Sequence, residues 1–525
     1  MATAQSSKES LREVERGAIA VLDFGGQYSH LICRRIRAMG VYAVLLPFST
    51  TSDALKERGF AGIILSGGPA SVYARDSPKA DPKIFDGRTP VLGICYGYQL
   101  LVRHFGGDVR RTQRREYGKA TLVIRAKGGI FEGIAEDRIT CWMSHTDSAT
   151  TLPAGLEVLA ETENSNYAAV QSLDGTKFGV QFHPEVVQTE HGMKILENFV
   201  LRVCNASKTW SMRDFAGKTV NELASSIDGR VICAVSGGVD SSTAAVLLNR
   251  AVGKRLCCVF VDHGLLREGE ADEVRTMFRD ELGIALSFVD ASERFLNELR
   301  GVSDPEEKRK VIGRTFAGVF EEFAKENGPF GSLAQGTLYP DVIESGRSTG
   351  PAAVIKTHHN VGGLPESFAL RVVEPLKWLY KDEVRELALM IGVPEKMVRR
   401  HPFPGPGLAV RILGEVTPEK LRVCRSANRI VEEVTNKHGM YGGVWQAFAY
   451  VGDDLVTGVL GDERKVGFQV TVKVVDSLDA MTASWHRMPD EVLEEISTRM
   501  TNEVEGVVSV AYSISSKPPA TIEPQ

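Results

Sequence analysis

The chain has 525 residues, of which 43% are hydrophobic and 25% are charged, and its formal net charge is -5. This composition is typical of a soluble globular protein with more than one domain, and no apolar run reaches the roughly 18 residues of a membrane span. The acidic charge argues against nucleic acid as a partner, and we predict that the short KRK run at residues 308–310 is a solvated helix face.

The first 16 residues contain three glutamates and no apolar segment, so they resemble neither a secretory signal nor a transit peptide. We expect a flexible tail over residues 1–16. The eight cysteines include no CxxC pair, which argues against a zinc site and against a disulfide framework. This cysteine usage fits a reducing compartment, and we predict a cytoplasmic location.

Strand-like and helix-like runs follow one another from residue 18 onward. AIAVLDF, VYAVLLP, GIILSGG and PVLGIC are apolar, whereas QYSHLICRRIRAMG and YGYQLLVRHFGG are amphipathic. This order predicts a parallel sheet covered by helices. Shorter β-like runs and the helix-like HGMKILENFVLRVC complete the first unit, whose end we place near residue 208.

The alternation restarts at VICAVSGG, with predicted helices at residues 240–250 and at about 305–326. It ends before HPFPGPG at residues 401–407, a cluster of proline and glycine that breaks regular structure. GLAVRIL, FQVTVKVV and VVSVAYSIS, with two amphipathic helices, then predict a small α+β domain.

The predicted fold class is therefore α/β, with two doubly wound, mainly parallel-sheet domains followed by a small α+β domain. The predicted domains cover residues 17–208, 209–403 and 404–525.

A cysteine lies between small residues in GICYG at residues 93–97, where a predicted strand becomes a predicted helix. Such a turn presents a nucleophile at the sheet edge, and the helix N-terminus favours a thiolate and an oxyanion. Composition alone favours the alternative, a buried structural cysteine. FHPE adds His183 and Glu185, which share one face of an extended chain and so offer a base with its orienting carboxylate.

GICYGYQ and HPE resemble the class I glutamine amidotransferases, which release ammonia from glutamine. The resemblance implies that Cys95 is the nucleophile, His183 the base and Glu185 the group that orients it. LSGGP at residues 65–69 is similar to the oxyanion loop of that family. The residues implied at the oxyanion and glutamine site are Gly67, Gly68 and Tyr96.

AVSGGVDSS at residues 234–242 lacks the lysine of a Walker A loop, and a plain helix-capping turn is its simplest interpretation. The string resembles the SGGxDS loop of the N-type ATP pyrophosphatases, which split ATP into AMP and pyrophosphate. The ATP-binding residues that the resemblance implies are Ser236, Gly237, Gly238, Val239, Asp240, Ser241, Ser242 and Lys381. A carboxylate beside an anion calls for a cation, so we expect Mg²⁺ with ATP at Asp240.

Three further strings, QGTLYPDVIES at residues 335–345, IKTHHNVGGLP at 355–365 and KPPATIE at 517–523, resemble the GMP synthase family. This likeness covers nearly the whole chain. It implies glutamine, ATP and xanthosine 5′-monophosphate (XMP) as substrates, an adenylated XMP intermediate, GMP as product, and a homodimer formed by the C-terminal domain. The implied XMP-binding residues are Arg309, Lys517, Thr521, Ile522 and Glu523. The chain reads IEPQ at residues 522–525 where the family commonly has IEWE.

Two alternatives remain at this point. NAD synthetase, asparagine synthetase and the tRNA thiolases also use SGGxDS loops, although the missing CxxC and the acidic charge argue against thiolation and KPPATIE argues against the others. The second alternative is a nucleotide-binding regulator without catalysis. The intact triad residues argue against it, because binding alone requires no nucleophile.

Overall fold

The computed structural model describes residues 15–346, 370–460, 462–477 and 482–525. The chain divides into two units, Met1–Ser211 and Met212–Gln525. Most of the predicted tail and the whole IKTHHNVGGLP string lie outside the described residues, and the domain boundaries at 208 and 403 stay predictions. Within the described part of the chain, no helix is long and apolar enough to cross a bilayer.

The first unit is built on one mixed sheet. Its strands are β1 (Ile19–Asp23), β2 (Ala43–Pro47), β3 (Gly62–Leu65), β4 (Val91–Ile94), β5 (Asp108–Ile124), β6 (Arg138–Thr151), β7 (Leu156–Glu161), β8 (Ala169–Ser172) and β9 (Lys177–Val180). Its helices are α1 (Ser29–Ala38), α2 (Ser52–Arg58), α3 (Lys83–Asp86), α4 (Tyr96–His104) and α5 (Gly192–Glu197), which a π-helical stretch extends over Asn198–Val203. A short 3-10 helix covers Gly129–Phe131.

The nine strands follow the order β2-β1-β3-β4-β9-β8-β7-β5-β6. The strands from β2 to β9 in this order pair in parallel, and the remaining pairs are antiparallel. All residues of β1 and β4 are buried. Continuous burial explains why these strands appear in the sequence as unbroken apolar runs, since both faces of a parallel strand are covered.

The second unit contains a parallel sheet and a smaller antiparallel-rich sheet. Its strands are β10 (Val231–Ala234), β11 (Leu256–Asp262), β12 (Leu286–Asp290), β13 (Ser332–Ala334), β14 (Arg371–Val373), β15 (Gln446–Leu460), β16 (Glu463–Asp476), β17 (Ser484–Trp485) and β18 (Val507–Tyr512). Its helices are α6 (Met212–Ser226), α7 (Val239–Val252), α8 (Glu270–Thr276), α9 (Ser292–Glu298), α10 (Pro305–Asn327), α11 (Tyr339–Gly346), α12 (Lys381–Met390), α13 (Glu395–Val398), α14 (Pro418–Lys437) and α15 (Asp490–Glu503). Shorter turns are the π-helical Met277–Glu281 and the 3-10 helices Gly253–Arg255, Gly407–Arg411 and Tyr441–Gly443.

The parallel sheet has the order β12-β11-β10-β13-β14, and in the smaller sheet β16 pairs with β15, β17 and β18. One hydrophobic core extends from Ile232 and Leu333 in the parallel sheet to Val431 and Val470 in the C-terminal part. The α/β fold class predicted from the sequence is confirmed.

Two C-terminal elements differ from the prediction. GLAVRIL does not form a strand, because Gly407–Arg411 is a 3-10 helix whose Leu408 N–H donates to the Leu265 carbonyl. Strand β15 was not predicted, because GDD interrupts its apolar pattern. The pairing of β15 with β16 shifts register between Val451 and Leu455, which accommodates this interruption as an irregularity in the strand.

The KRK run is also different from the expected solvated face. Lys310 is exposed, but Lys308 is fully buried on the inner side of α10. The prediction is therefore wrong for Lys308. The oxygens that surround Lys308 come from Ala409, Ile412 and Gln525, about 100 or more positions away. The pattern of an amphipathic helix does not indicate such distant partners.

Candidate active sites

Cys95 occupies a strained turn between β4 and α4. Its φ of 51° and ψ of -100° are rare for a residue with a side chain. A Cβ atom at Gly93 would lie 2.5 Å from the Gly97 carbonyl oxygen, and one at Gly97 would lie 2.4 Å from the Leu65 carbonyl oxygen. Both glycines are therefore required by close packing, and the turn has the geometry of a nucleophile elbow.

His183 and Glu185 form a buried pair. His183 Nδ1 lies 2.7 Å from Glu185 Oε1, and both side chains are almost completely inaccessible to solvent. They meet in a turn after β9 and not on an extended strand, so the conformation expected from the sequence is wrong although the pair forms. The edge of the Tyr28 ring packs against the imidazole at a centroid distance of 5.1 Å.

The electrostatic setting of His183 favours its protonated form. Burial lowers the pKa of His183, but the charge of Glu185 and the hydrogen bonds with Cys95 and Glu185 outweigh burial and raise this pKa well above its ordinary value. A protonated imidazole beside a cysteine stabilises the thiolate form of the sulfur.

Two other contacts fix the Cys95 thiol. The side-chain amide of Gln181 donates to Sγ at 3.7 Å, and Sγ donates to the Ser144 carbonyl at 3.8 Å. The predicted oxyanion loop runs beside this group, because a Cβ atom at Gly67 would lie 3.1 Å from His183 Cε1. At Gly68 a Cβ atom would lie 2.7 Å from the Phe24 carbonyl oxygen, so this loop also depends on glycine.

Tyr96 follows the cysteine as the first residue of α4. Its hydroxyl donates to the Pro78 carbonyl at 2.6 Å, and burial raises its pKa. What Tyr96 can offer to the site is its backbone N–H, since the N–H groups in the first turn of a helix have no acceptor within the helix.

The SGG loop connects β10 to α7 at the carboxyl edge of the parallel sheet, where such sheets bind ligands. Gly237 has a φ of 75°, and a Cβ atom there would lie 2.6 Å from Val274 Cγ2. Ser241 Oγ accepts the Ser236 N–H at 3.2 Å, which closes the loop. Ser236 and Gly238 are exposed, Asp240 and Ser241 are half-buried, and Val239 and Ser242 are buried.

Asp240 and Lys381 face each other across this loop. Lys381 Nζ, from the first residue of α12, lies 2.6 Å from Asp240 Oδ2. Asp240 Oδ1 is buried, and no described residue gives it a hydrogen bond. In the described part of the chain no group of three or more His, Cys, Asp or Glu side chains could hold a metal ion. A single orphaned carboxylate oxygen fits Mg²⁺, which takes one or two protein carboxylates together with substrate phosphates.

Residues 517–525, here called the KPP segment, lie against the smaller sheet. The backbone of Lys517 pairs with Ala483 through two hydrogen bonds of 2.7 and 3.0 Å. Ile522 is 9% exposed and packs against Phe448. Thr521 is exposed, and its carbonyl accepts from Lys473 Nζ at 2.6 Å.

The carboxylate of Glu523, in the KPP segment, accepts hydrogen bonds from two side chains, Arg411 and Gln446. Arg411 Nε and Nη2 donate to its two carboxylate oxygens at 3.1 and 2.9 Å, and Gln446 Nε2 donates at 2.6 Å. Arg411 also donates to Asn428 Oδ1 at 2.9 Å. Its guanidinium lies 4.4 Å from the ring centroid of Phe448. The structure thus brings Ile522 and Glu523 into the same neighbourhood as Arg411 and Phe448.

Arg309 is the XMP candidate that lies outside the KPP segment. It lies on α10 with a side chain that is 30% exposed, and its Nη1 is 3.7 Å from Glu306. It follows the buried Lys308, whose Nζ bonds to Gln525 at the far end of the KPP segment.

The sequence interpretation missed Arg411, Gln446 and Lys473. Arg411 and Lys473 are charged residues inside apolar runs, GLAVRIL and FQVTVKVV, and both are buried. A buried charge is retained only with a partner, so a charge in an apolar run was the available signal.

Comparison with known proteins identifies the family. The model "Glutamine amidotransferase class-I" matches residues 20–203, and "GMP synthase C terminal domain" matches residues 423–524. A protein of Carboxydothermus hydrogenoformans named "GMP synthase [glutamine-hydrolyzing]" is 51% identical over 96% of this chain and 99% of its own length. Proteins of the same name from Symbiobacterium thermophilum and Alkaliphilus metalliredigens are 51% and 49% identical, over 97% and 96% of this chain and 99% of their own lengths. The chain belongs to the family of glutamine-hydrolysing GMP synthases.

Proposed function

We propose that this chain converts XMP to GMP with ATP, using ammonia that it releases from glutamine. The observation that carries the proposal is the near-full-length family match, within which the Cys95 turn and the SGG loop both have the side chains their chemistry requires.

The first reaction is the hydrolysis of glutamine at Cys95. The thiolate attacks the side-chain amide carbon, and protonated His183 gives its proton to the departing ammonia. Water then cleaves the thioester with His183 as base, which yields glutamate. Glu185 holds the imidazole in the required orientation, and main-chain N–H groups of the loop at Gly67 and Gly68, with that of Tyr96, stabilise the oxyanion.

The second reaction joins ammonia to XMP. The C2 oxygen of XMP attacks the α phosphorus of ATP and pyrophosphate leaves, which gives adenylated XMP. Ammonia then adds to C2 and AMP leaves, so the products are GMP, AMP and pyrophosphate. The groups proposed to hold pyrophosphate are the main chain of Gly237, Gly238 and Val239, the hydroxyls of Ser236, Ser241 and Ser242, and the ammonium of Lys381.

Asp240 would hold Mg²⁺, because its Oδ1 is buried and accepts no hydrogen bond from a described residue. When bound, Mg²⁺ supplies positive charge that offsets the charge of the phosphates and of the leaving pyrophosphate. Lys381 pairs with Oδ2, which would leave Oδ1 available to the ion.

XMP is proposed to bind along the KPP segment. Lys517 and Arg309 supply cationic groups for its phosphate, and Thr521, Ile522 and Glu523 supply polar and apolar contacts to the remainder of the nucleotide. The support from this chain is the fixed position of Ile522 and Glu523 against Phe448 and Arg411.

A homodimer formed by the C-terminal part is a further element of the proposal. Three apolar side chains of the β15–β16 hairpin are exposed, namely Leu455, Val459 and Val466, at 58%, 74% and 67%. Exposed apolar residues that cluster on one element are typical of an interface. Light scattering tests this: a mass of twice 57.3 kDa supports the dimer and a mass of 57.3 kDa refutes it. We also propose a cytoplasmic location for this protein, and cell fractionation tests it.

Product analysis tests the main proposal. The purified protein is incubated with Mg-ATP, XMP and glutamine, and each component is omitted in turn. We expect GMP, AMP and pyrophosphate in equal amounts in the complete mixture. Glutamate without GMP, at saturating XMP and ATP, would refute the second reaction and leave the first.

A further inference from the structure

A buried ammonium group lies next to the proposed XMP site. Lys308 is 0% exposed. Its Nζ donates to the carbonyl oxygens of Ile412 at 2.6 Å and Ala409 at 3.4 Å, and to Oε1 of Gln525 at 2.6 Å. An ammonium has three N–H donors, so these three oxygens use its full hydrogen-bonding capacity.

The three oxygens belong to two parts of the chain that both lead to Glu523. Ala409 and Ile412 flank Arg411, which grips Glu523 through two hydrogen bonds. Gln525 is two residues beyond Glu523 in the KPP segment. Lys308 therefore holds both the turn that carries the arginine and the segment that carries the carboxylate.

The arrangement is sensitive to the loss of a single partner. A buried cation is costly unless hydrogen bonds replace its lost hydration, and a missing acceptor leaves that cost uncompensated. Conversely, without the lysine the oxygens at Ala409, Ile412 and Gln525 lose a shared donor. The Gln525 side chain then loses its hydrogen bond to α10, and the end of the KPP segment becomes free to move.

We propose that Lys308 is a positioning residue for XMP, which fixes the Arg411–Glu523 pair by fastening Gln525 to the backbone of residues 409–412. The inference rests on the proposed role of the KPP segment as the XMP site. Lys308 itself touches no substrate in this proposal, because its three donors are occupied by protein oxygens.

The protonation state of Lys308 gives this role a signature. Burial, with the nearby charge of Lys420, lowers the pKa of Lys308 to about 8, against the opposing charges of Asp453 and Asp304. Deprotonation removes one of the three donors and leaves one oxygen without its bond. XMP binding should therefore weaken as the pH rises through about 8.

Calorimetric titration of the full-length protein with XMP tests the proposal, together with steady-state kinetics. We expect Lys308→Met and Gln525→Ala to raise the Kd and the KM for XMP by about tenfold, because each removes a bond to a charged group. The KM values for ATP and glutamine and the kcat at saturating XMP should stay within about twofold, since these substrates do not use the KPP segment. Lys310→Met is the matched control, because Lys310 lies on the same helix but is exposed and pairs with Glu307 at the surface.

The variant Gln525→Glu separates positioning from a general effect on folding. A carboxylate next to Lys308 raises the pKa of the lysine, so the weakening of XMP binding should move to higher pH than in the wild type. Lys308→Met should show no step near pH 8 at all. An unchanged step in Gln525→Glu would overturn the proposal.

The outcomes also separate this inference from the proposed function. If the wild type neither binds nor aminates XMP, the proposed function fails. If the wild type does both while Lys308→Met and Gln525→Ala keep its Kd for XMP, the inference alone fails. If Lys308→Met does not fold, Gln525→Ala and Gln525→Glu decide the question with the lysine in place.

Discussion

Lys381 Nζ and Asp240 Oδ2 lie 2.6 Å apart, and this contact joins the first residue of α12 to the first turn of α7. The pair links two helices at the carboxyl edge of one sheet. Both side chains are partly buried, and the ion pair between them holds each one in position before any nucleotide binds.

The first prediction concerns this pair. Asp240→Asn keeps the shape of the side chain but removes its negative charge, so the proposed Mg²⁺ ligand and the partner of Lys381 are lost together. We expect GMP formation to fall at least about 10²-fold with either glutamine or ammonia. The measurement is GMP production with each nitrogen source at several Mg²⁺ concentrations.

Asp272→Asn, at an exposed position on α8, is the control for the loss of one carboxylate from the second unit. Undiminished synthesis in Asp240→Asn would refute the metal role of Asp240.

The second prediction separates the two reactions. Cys95→Ala removes the only proposed nucleophile for glutamine, so GMP formation from glutamine should fall to background. Synthesis from high concentrations of ammonium should remain near the wild-type rate, because the second reaction consumes ammonia from any source. Parallel assays with the two nitrogen sources measure this, and loss of both activities would contradict the two-site scheme.

The third prediction follows from the charge of Glu185. Glu185→Gln removes the largest factor that raises the pKa of His183, so a smaller fraction of the imidazole beside Cys95 should be protonated. We expect the glutaminase kcat to fall about 10²–10⁴-fold. The rate at which iodoacetamide alkylates Cys95 at pH 6 to 7 should fall in parallel, with Cys95→Ala measuring any reaction at the other cysteines.

The same pair makes stability depend on pH in a fixed direction. Folding raises the pKa of His183, so its stabilising contribution is complete below the unfolded-state value of about 6.5 and is lost as the pH rises through the folded-state pKa. Between pH 6.5 and 9 the melting temperature of the first unit should therefore drop less in Glu185→Gln than in the wild type. An equal drop in the wild type and the variant would mean that the pKa of His183 is not raised in the folded protein.

The fourth prediction concerns the Arg411–Glu523 pair. Glu523→Gln leaves the buried guanidinium of Arg411 without its counter-ion, so the KPP segment should no longer be held against Arg411. The KM for XMP should therefore rise about tenfold or more. The KM for ATP should not change. Glu505→Gln is a suitable control because Glu505 has a side chain that is 91% exposed and lies 3.9 Å from Arg422.

The sequence indicated the triad and the SGG loop because their chemistry is local. GICYG places a nucleophile and both required glycines within five residues, and FHPE places a base two residues from its carboxylate. The strand–turn–helix context follows from apolar runs and glycines alone. For the same reason the two doubly wound sheets could be predicted.

The surroundings of Lys308 and Arg411 could not be predicted in this way. Lys308 is separated from Gln525 by 217 positions, and Arg411 is separated from Glu523 by 112. Such contacts depend on how whole elements pack, and neither hydrophobic periodicity nor turn chemistry encodes them. The 3-10 helix Gly407–Arg411 also has a distant partner, the Leu265 carbonyl that accepts from the Leu408 N–H, whereas its apolar pattern alone predicts a strand.

The backbone conformation of Cys95 lowers the free energy of unfolding at the same position that supplies the proposed nucleophile. A side chain held at a φ of 51° costs about 1–3 kcal/mol, and glycine alone escapes this cost. Cys95→Gly should therefore melt at a higher temperature than the wild type while having no glutaminase activity.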